Sequence, residues 1–258
     1  MRPTKIDADT VAKNKSINTQ MTSLHTLKQP YIIALLGCIL SAGSITAQSN
    51  DTNDLENWTT IGLEYTLNDK WDFGLEEQLR LDENISEISK YFTELTANYS
   101  VSKKLYIGGG IRYIRENDNQ GKKQGYENHF RAHIDAAYKR KANDFYLKFR
   151  LRYQRQNELG VDASEGVDAK QHIRFRTSLT YRIKNWKLDP RFSAEIFNRL
   201  DMGTQSGFDK YRLTLGTVYK LNSGKLHLFY RIQKALNTNT PRTDNILGIK
   251  YIHNLTTN

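Results

Sequence analysis

Three histidines, His129, His133 and His172, together with Asp135, are the side chains best suited to acid–base or metal chemistry. Their spacing argues against a shared centre. His129 and His133 stand four residues apart in a stretch of alternating polarity, and an extended strand separates them by roughly 13 Å, too far to hold one metal ion. The Gly-x-Ser-x-Gly elbow of many serine hydrolases is absent. Gly108-Gly-Gly110 lies inside an alternating run, where glycine relieves crowding more readily than it cradles a phosphate. The sequence therefore assigns no catalytic residue, no metal site and no cofactor. The histidines read as hydrogen-bonding members of a polar face.

Cations are the other chemically potent group. The chain carries a formal charge of +10, and beyond residue 47 it still holds 33 basic against 26 acidic residues. Their placement decides their meaning. From His172 to Ile183, Ile173, Phe175, Leu179, Tyr181 and Ile183 alternate with His172, Arg174, Arg176 and Arg182. A face this basic is excluded from a hydrophobic core. The same parity collects Arg112, Arg131, Arg150 and Arg152 in a candidate basic cluster with Arg174, Arg176 and Arg182, and it collects Asp72, Glu76, Glu94 and Asp135 as the acidic counterpart. Two readings follow: internal charge pairing that fills the molecule, or a lumen that attracts anions. Nucleic acid is not expected as a partner, because the charge is spread over alternate positions of many segments and does not mass on one outer face.

The elements that position these residues are strands. In Tyr91–Val101 one face carries Tyr91, Leu95, Ala97, Tyr99 and Val101, and the other Phe92, Glu94, Thr96, Asn98 and Ser100. Nothing after residue 57 reads as helix. About eleven alternating segments are predicted: 55–67, 70–82, 89–101, 104–116, 126–139, 144–157, 170–183, 186–200, 209–221, 224–236 and 244–254. Most exceed the globular strand of about 5–6 residues and match the roughly 9–11 that a tilted strand needs to cross a bilayer. Short connections such as Asn68-Asp69 and Asn222-Ser223 alternate with long polar ones at Asp82–Ser89, Asn117–Gly125, Glu158–Ala169, Asp201–Phe208 and Asn237–Thr243. Aromatics gather beside the short turns, among them Trp71, Tyr99, Tyr138, Phe145, Tyr181 and Trp186. This is the pattern of a transmembrane barrel with tight periplasmic turns and longer external loops.

Residues 1–47 read as a leader. Tyr31–Leu40 is apolar, Lys28 precedes it, and the small residues to Ala47 complete a secretory signal, with Met21 an alternative start. Cys38, the only cysteine, falls within this leader, so the exported chain has no disulfide. The expected fold is thus all-β: an antiparallel, up-and-down transmembrane barrel of about ten to twelve strands over residues 58–258, preceded by a short polar segment, 48–57. An odd number of strands leaves its N-terminal closure open: either a strand is missed or split, or residues 48–57 run through the lumen to reach Trp58. The rivals are an outer-membrane barrel enzyme acting on lipids or glycans, and a soluble periplasmic barrel around an apolar ligand.

From Trp58 to Tyr251 the chain resembles the bacterial outer-membrane barrel family called domain of unknown function 2490. The resemblance rests on Trp58-Thr-Thr-Ile-Gly-Leu-Glu-Tyr65, on Lys70-Trp-Asp-Phe-Gly-Leu-Glu-Glu-Gln-Leu-Arg80 and on Leu105-Tyr-Ile-Gly-Gly-Gly-Ile-Arg-Tyr113. Glu127-Asn-His-Phe-Arg131 and His172-Ile-Arg-Phe-Arg176 add a repeated strand pattern. These motifs imply an outer-membrane location and a barrel, with no activity attached. The expected partners are outer-membrane lipid and, during biogenesis, the barrel assembly machinery.

Overall fold

The computed structural model describes residues 52–118, 124–161, 169–200 and 206–255; the leader 1–47 and residues 48–51 lie outside the described residues. Among those described, eleven strands close into one barrel: β1 (Thr52–Thr66), β2 (Trp71–Asp82), β3 (Glu87–Ser100), β4 (Leu105–Asp118), β5 (Gly125–Ala142), β6 (Phe145–Glu158), β7 (Lys170–Tyr181), β8 (Leu188–Arg199), β9 (Gly207–Leu221), β10 (Gly224–Ala235) and β11 (Arg242–Leu255). Each strand pairs antiparallel with its sequence neighbours, so every segment predicted from alternation is a strand, with ends shifted by a few residues.

The seam departs from a wholly antiparallel barrel. An odd number of up-and-down strands leaves the first and last pointing the same way, and β1 pairs β11 in parallel from Thr52↔Arg242 to Tyr65↔Leu255. Among the described residues no strand is missed or split. Thr52–Asn57, the second half of the polar segment, does not thread the lumen: these residues are the start of β1, laddered to Arg242–Leu247. Their polarity misled because they lie at the end of a strand whose outward neighbours need not be apolar.

Local chemistry sets the turns. Asn143 and Asn185 take left-handed backbone conformations, φ 54° and 59°, Asn143 in the two-residue turn between β5 and β6 and Asn185 in the six-residue connection between β7 and β8. Asn68 accepts the amides of Lys70 and Trp71, and Ser102 those of Lys104 and Leu105. The connection after β2 is only Glu83–Ser86, shorter than its polarity suggested. Glu83, Asn84 and Ile85 there all have positive φ, and Asp54 of β1 holds the turn by accepting the amides of Glu83 (3.1 Å) and Asn84 (2.8 Å). A β-branched residue such as Ile85 reaches this conformation only under local strain.

The barrel is inside-out relative to a soluble protein. Among the described residues the buried side chains comprise fourteen polar or charged residues against seven apolar ones, whereas Ile61 and Ile134 on the outside are 62% and 65% exposed. Alternation explains this: each strand sends one parity inward and the other outward. Outward aromatics form two belts. Trp71 packs on Tyr99 and Phe145 on Tyr181 near the short turns, with ring centres 4.9 and 4.8 Å apart; Tyr91 and Tyr126 meet at 6.1 Å near the long loops. Tyr91 and Tyr99 lie eight residues apart on β3, roughly 26 Å along the strand before tilt.

Candidate functional site: a cationic lumen

Every strand contributes to the interior. Fourteen lysine and arginine side chains and five carboxylates line a central cavity of about 600 Å³. The carboxylates neutralise part of this charge. Glu94 on β3 takes two hydrogen bonds from Arg112 on β4 (3.2 and 2.9 Å), and Asp135 on β5 takes two from Arg152 on β6 (2.6 and 2.7 Å). Glu195 on β8 accepts from Arg150 at 2.7 Å and from Arg174 at 3.2 and 2.9 Å. Glu76 binds Lys250, and Glu116 binds Lys90. Bidentate forks of this kind orient the guanidinium as well as neutralising it.

The remaining arginines rest on neutral groups. Arg80 donates to Gln78 (2.6 Å), Arg131 to Gln156 (2.9 Å), Arg212 to Gln233 (2.6 Å), Arg231 to Thr214 (3.0 Å) and Arg176 to Ser193 (3.0 Å). Glu195 is 4.0 Å from Arg212, beyond a direct hydrogen bond. Aromatic faces replace carboxylates here. The guanidinium carbons of Arg80, Arg231 and Arg212 lie 3.6, 4.7 and 5.3 Å from the ring centre of Trp58. Arg112 and Arg174, already paired with Glu94 and Glu195, also stack, 3.7 Å from the ring centre of Phe92 and 4.3 Å from that of Phe197. A ring quadrupole holds a cation without cancelling its charge, so the field of Arg80, Arg212 and Arg231 persists in the lumen.

The predicted residues are distributed as follows. Arg112, Arg131, Arg150, Arg152, Arg174 and Arg176 all line the central cavity, as do Glu76, Glu94 and Asp135. Arg182 does not join them. β7 ends at Tyr181, one residue earlier, and Arg182 is exposed at the short-turn end with its guanidinium over Tyr146 at 4.7 Å. Asp72 points inward by parity but lies at the rim, accepting from Thr66 at 2.8 Å. Trp58, Phe197 and Phe229 were not anticipated, although Phe197 and Phe229 share the polar parity of Glu195 and Arg231; an aromatic out of phase with its strand was the available signal.

The histidines do not converge. His172 Nε2 lies 2.9 Å from Asp209, His129 Nε2 lies 3.4 Å from Glu127, and His133 Nδ1 lies 3.8 Å from Glu94, three separate partners. Among the described residues, the carboxylate trio Asp54, Glu56 and Asp244 brings its oxygens within 4.8 Å of one another. Arg242 already occupies that charge, bonding Asp54 at 2.7 Å and Asp244 at 2.6 Å. The trio ties the seam to the β2–β3 turn. Gly110 serves a packing role: a Cβ there would stand 2.6 Å from the His133 ring and 2.7 Å from the Leu95 carbonyl.

Toward the long loops the lumen widens into a vestibule of about 890 Å³ whose wall holds eight carboxylates, including Glu83, Glu116 and Glu127, against four cations. The interior is therefore polarised along its axis, acidic at that mouth and basic in the centre.

A closed up-and-down barrel with an apolar exterior and a charged interior defines the class of inside-out β-barrels. The chain belongs to the family described as protein of unknown function DUF2490, whose model matches residues 55–244. Among solved structures it is similar to the NanC porin, at 11% identity and a TM-score of 0.44, covering 73% of this chain and 90% of that one. No curated protein matches the sequence.

Proposed function

We propose that this protein is an outer-membrane β-barrel whose lumen admits small anionic solutes. The supporting observation is the lining of the central cavity, fourteen cations against five carboxylates, with five arginines resting on neutral acceptors. Rings of fixed cations lower the energy of an anion in a narrow aqueous passage and raise that of a cation. The outward apolar faces of the strands and the two aromatic belts support a membrane setting, since a soluble fold gains nothing by exposing such a surface. Residues 1–47 act as an export signal on this reading, and the mature chain begins near Gln48, which mass spectrometry of the membrane-extracted protein checks.

The test is a planar-bilayer recording of the purified full-length barrel under a potassium chloride gradient. A reversal potential favouring chloride supports the proposal; cation selectivity overturns it. A silent bilayer would also overturn it and leave a filled barrel held by pairs such as Glu94–Arg112. The protein is not assigned an enzymatic role. Phospholipid hydrolysis by the purified protein that is lost in His133→Ala would overturn that part of the reading.

A further inference from the structure

Toward the short-turn end, five successive strands enclose a side cavity of about 280 Å³. Arg176 of β7, Arg191 and Ser193 of β8, Thr214 of β9, Arg231 of β10 and Lys250 of β11 bound it, and no carboxylate lines it. Lys250 is engaged by Glu76. Among the described residues no carboxylate comes within ion-pair distance of the three arginines, although Glu195 stands opposite Arg176 in the β7–β8 ladder. Arg176 and Arg231 donate hydrogen bonds to the hydroxyls of Ser193 and Thr214, each at 3.0 Å, and Arg231 also lies over the rings of Trp58 and Phe229. The Nε atoms of Arg176 and Arg191 are buried and have no hydrogen-bond partner. A buried charged donor with no acceptor is costly, and a bound anion is one group that supplies the acceptor.

We infer that this cavity binds a small multivalent oxyanion of the phosphate or sulfate type, free or carried on a soluble solute. Guanidinium groups from three strands require an acceptor with several oxygens pointing in different directions, which a tetrahedral oxyanion supplies and a halide does not. The hydroxyls of Ser193 and Thr214 add donors that turn toward whichever oxygen is left over. The inference rests on the lumen being open to solutes, as proposed above, and makes the side cavity the place where one class of anion is retained while others pass.

The test is calorimetric titration of the purified full-length barrel in detergent with inorganic phosphate, sulfate and chloride at constant ionic strength. Saturable binding of phosphate and sulfate, without saturable chloride binding, is expected. Arg191→Gln should weaken phosphate about tenfold or more, the loss typical of a charge-assisted hydrogen bond. Ser193→Asp, which places a carboxylate among the arginines, should abolish binding while leaving a heat-modifiable, folded barrel. This second variant keeps the test sharp should Arg191→Gln fail to fold. Glycerol 3-phosphate should compete with inorganic phosphate; competition by short-chain phosphatidic acid alone would overturn the assignment to soluble solutes. The site is rejected if the unaltered protein binds no phosphate, or if both variants bind it as the parent does. Anion-selective current without phosphate binding rejects the site and leaves the pore, whereas phosphate binding without current rejects the pore.

Discussion

Lys250 on β11 holds both carboxylate oxygens of Glu76 on β2 at 2.7 Å, reaching over the intervening strand β1. Gly62 of β1 makes the crossing possible, because a Cβ at that position would lie 2.9 Å from the Glu76 side chain and 2.7 Å from Ile252. The pair thus spans the parallel seam, the part of the barrel with no hairpin to hold it. Lys225 and Glu64 make a second ion pair across the β1 and β11 boundary at 2.9 Å.

Neutralising either partner of the Lys250–Glu76 pair should loosen the seam. Both side chains retain about a quarter of their exposure, 28% and 25%, so solvent screens the pair. Lys250→Gln and Glu76→Gln are each expected to cost about 1 kcal/mol, with a double variant less unstable than the two effects summed. Urea titration of the detergent-folded barrel, followed by the gel shift between folded and unfolded forms, measures this.

Glu195 is the most heavily shared carboxylate of the lumen, with its side chain only 5% exposed between Arg150 and Arg174. Glu195→Gln should destabilise the barrel by roughly 3 kcal/mol, because two buried cations lose their common partner. The same change should increase the preference for chloride over potassium. Unfolding curves and reversal potentials recorded on one preparation test both effects; unchanged selectivity would count against Glu195 acting in the conduction path.

Position in the lumen, and not charge alone, should decide which arginines control selectivity. Arg131→Gln removes a cavity-lining cation held by Gln156 and is expected to lower the chloride-to-potassium ratio several-fold. Arg182→Gln removes an equal charge from the exposed short-turn end and should leave the ratio unchanged. Equal effects from both would show that net charge, and not a lumen field, sets the preference.

An acidic vestibule in series with a basic centre is an asymmetric charge profile, eight carboxylates to four cations against five to fourteen. Current through such a barrel should rectify, and the rectification should fade as salt rises and the screening length shrinks from about 10 Å at 0.1 M to about 3 Å at 1 M. Current–voltage curves from oriented insertions at both concentrations provide the check.

The glycines at 109 and 110 face opposite sides of β4 and should tolerate substitution differently. Gly110→Ala would drive a methyl to 2.6 Å from His133 and 2.7 Å from the Leu95 carbonyl, and should cost about 1–3 kcal/mol. Gly109→Ala meets the His133 carbonyl at 3.1 Å and is otherwise open, so its cost should be smaller. Thermal unfolding of the two variants side by side resolves the difference.

Much of the molecule is legible in its sequence. Parity alone placed Arg112, Arg131, Arg150, Arg152, Arg174 and Arg176 inward, because alternate side chains of a strand point to opposite faces whatever the strand pairs with. Arg182 escaped this rule because parity carries no information on where a strand stops. The inward Trp58 and Phe197 were obscure for another reason: an aromatic on a polar face contradicts binary patterning and makes sense only once guanidiniums are seen stacked on it.

What the sequence by itself determined is the repeating local geometry: strands of this length and period, turns at Asn68-Asp69 and Asn222-Ser223, one apolar face and one charged face. Those features depend on interactions within a few residues. Only the tertiary structure decided the parallel seam, the pairing of Glu195 with Arg150 and Arg174, and the side cavity at Arg176, Arg191 and Arg231. Each depends on the stagger with which eleven strands close on themselves, a quantity no single strand encodes, and that stagger selects which charges of neighbouring strands meet and which are left to face the lumen.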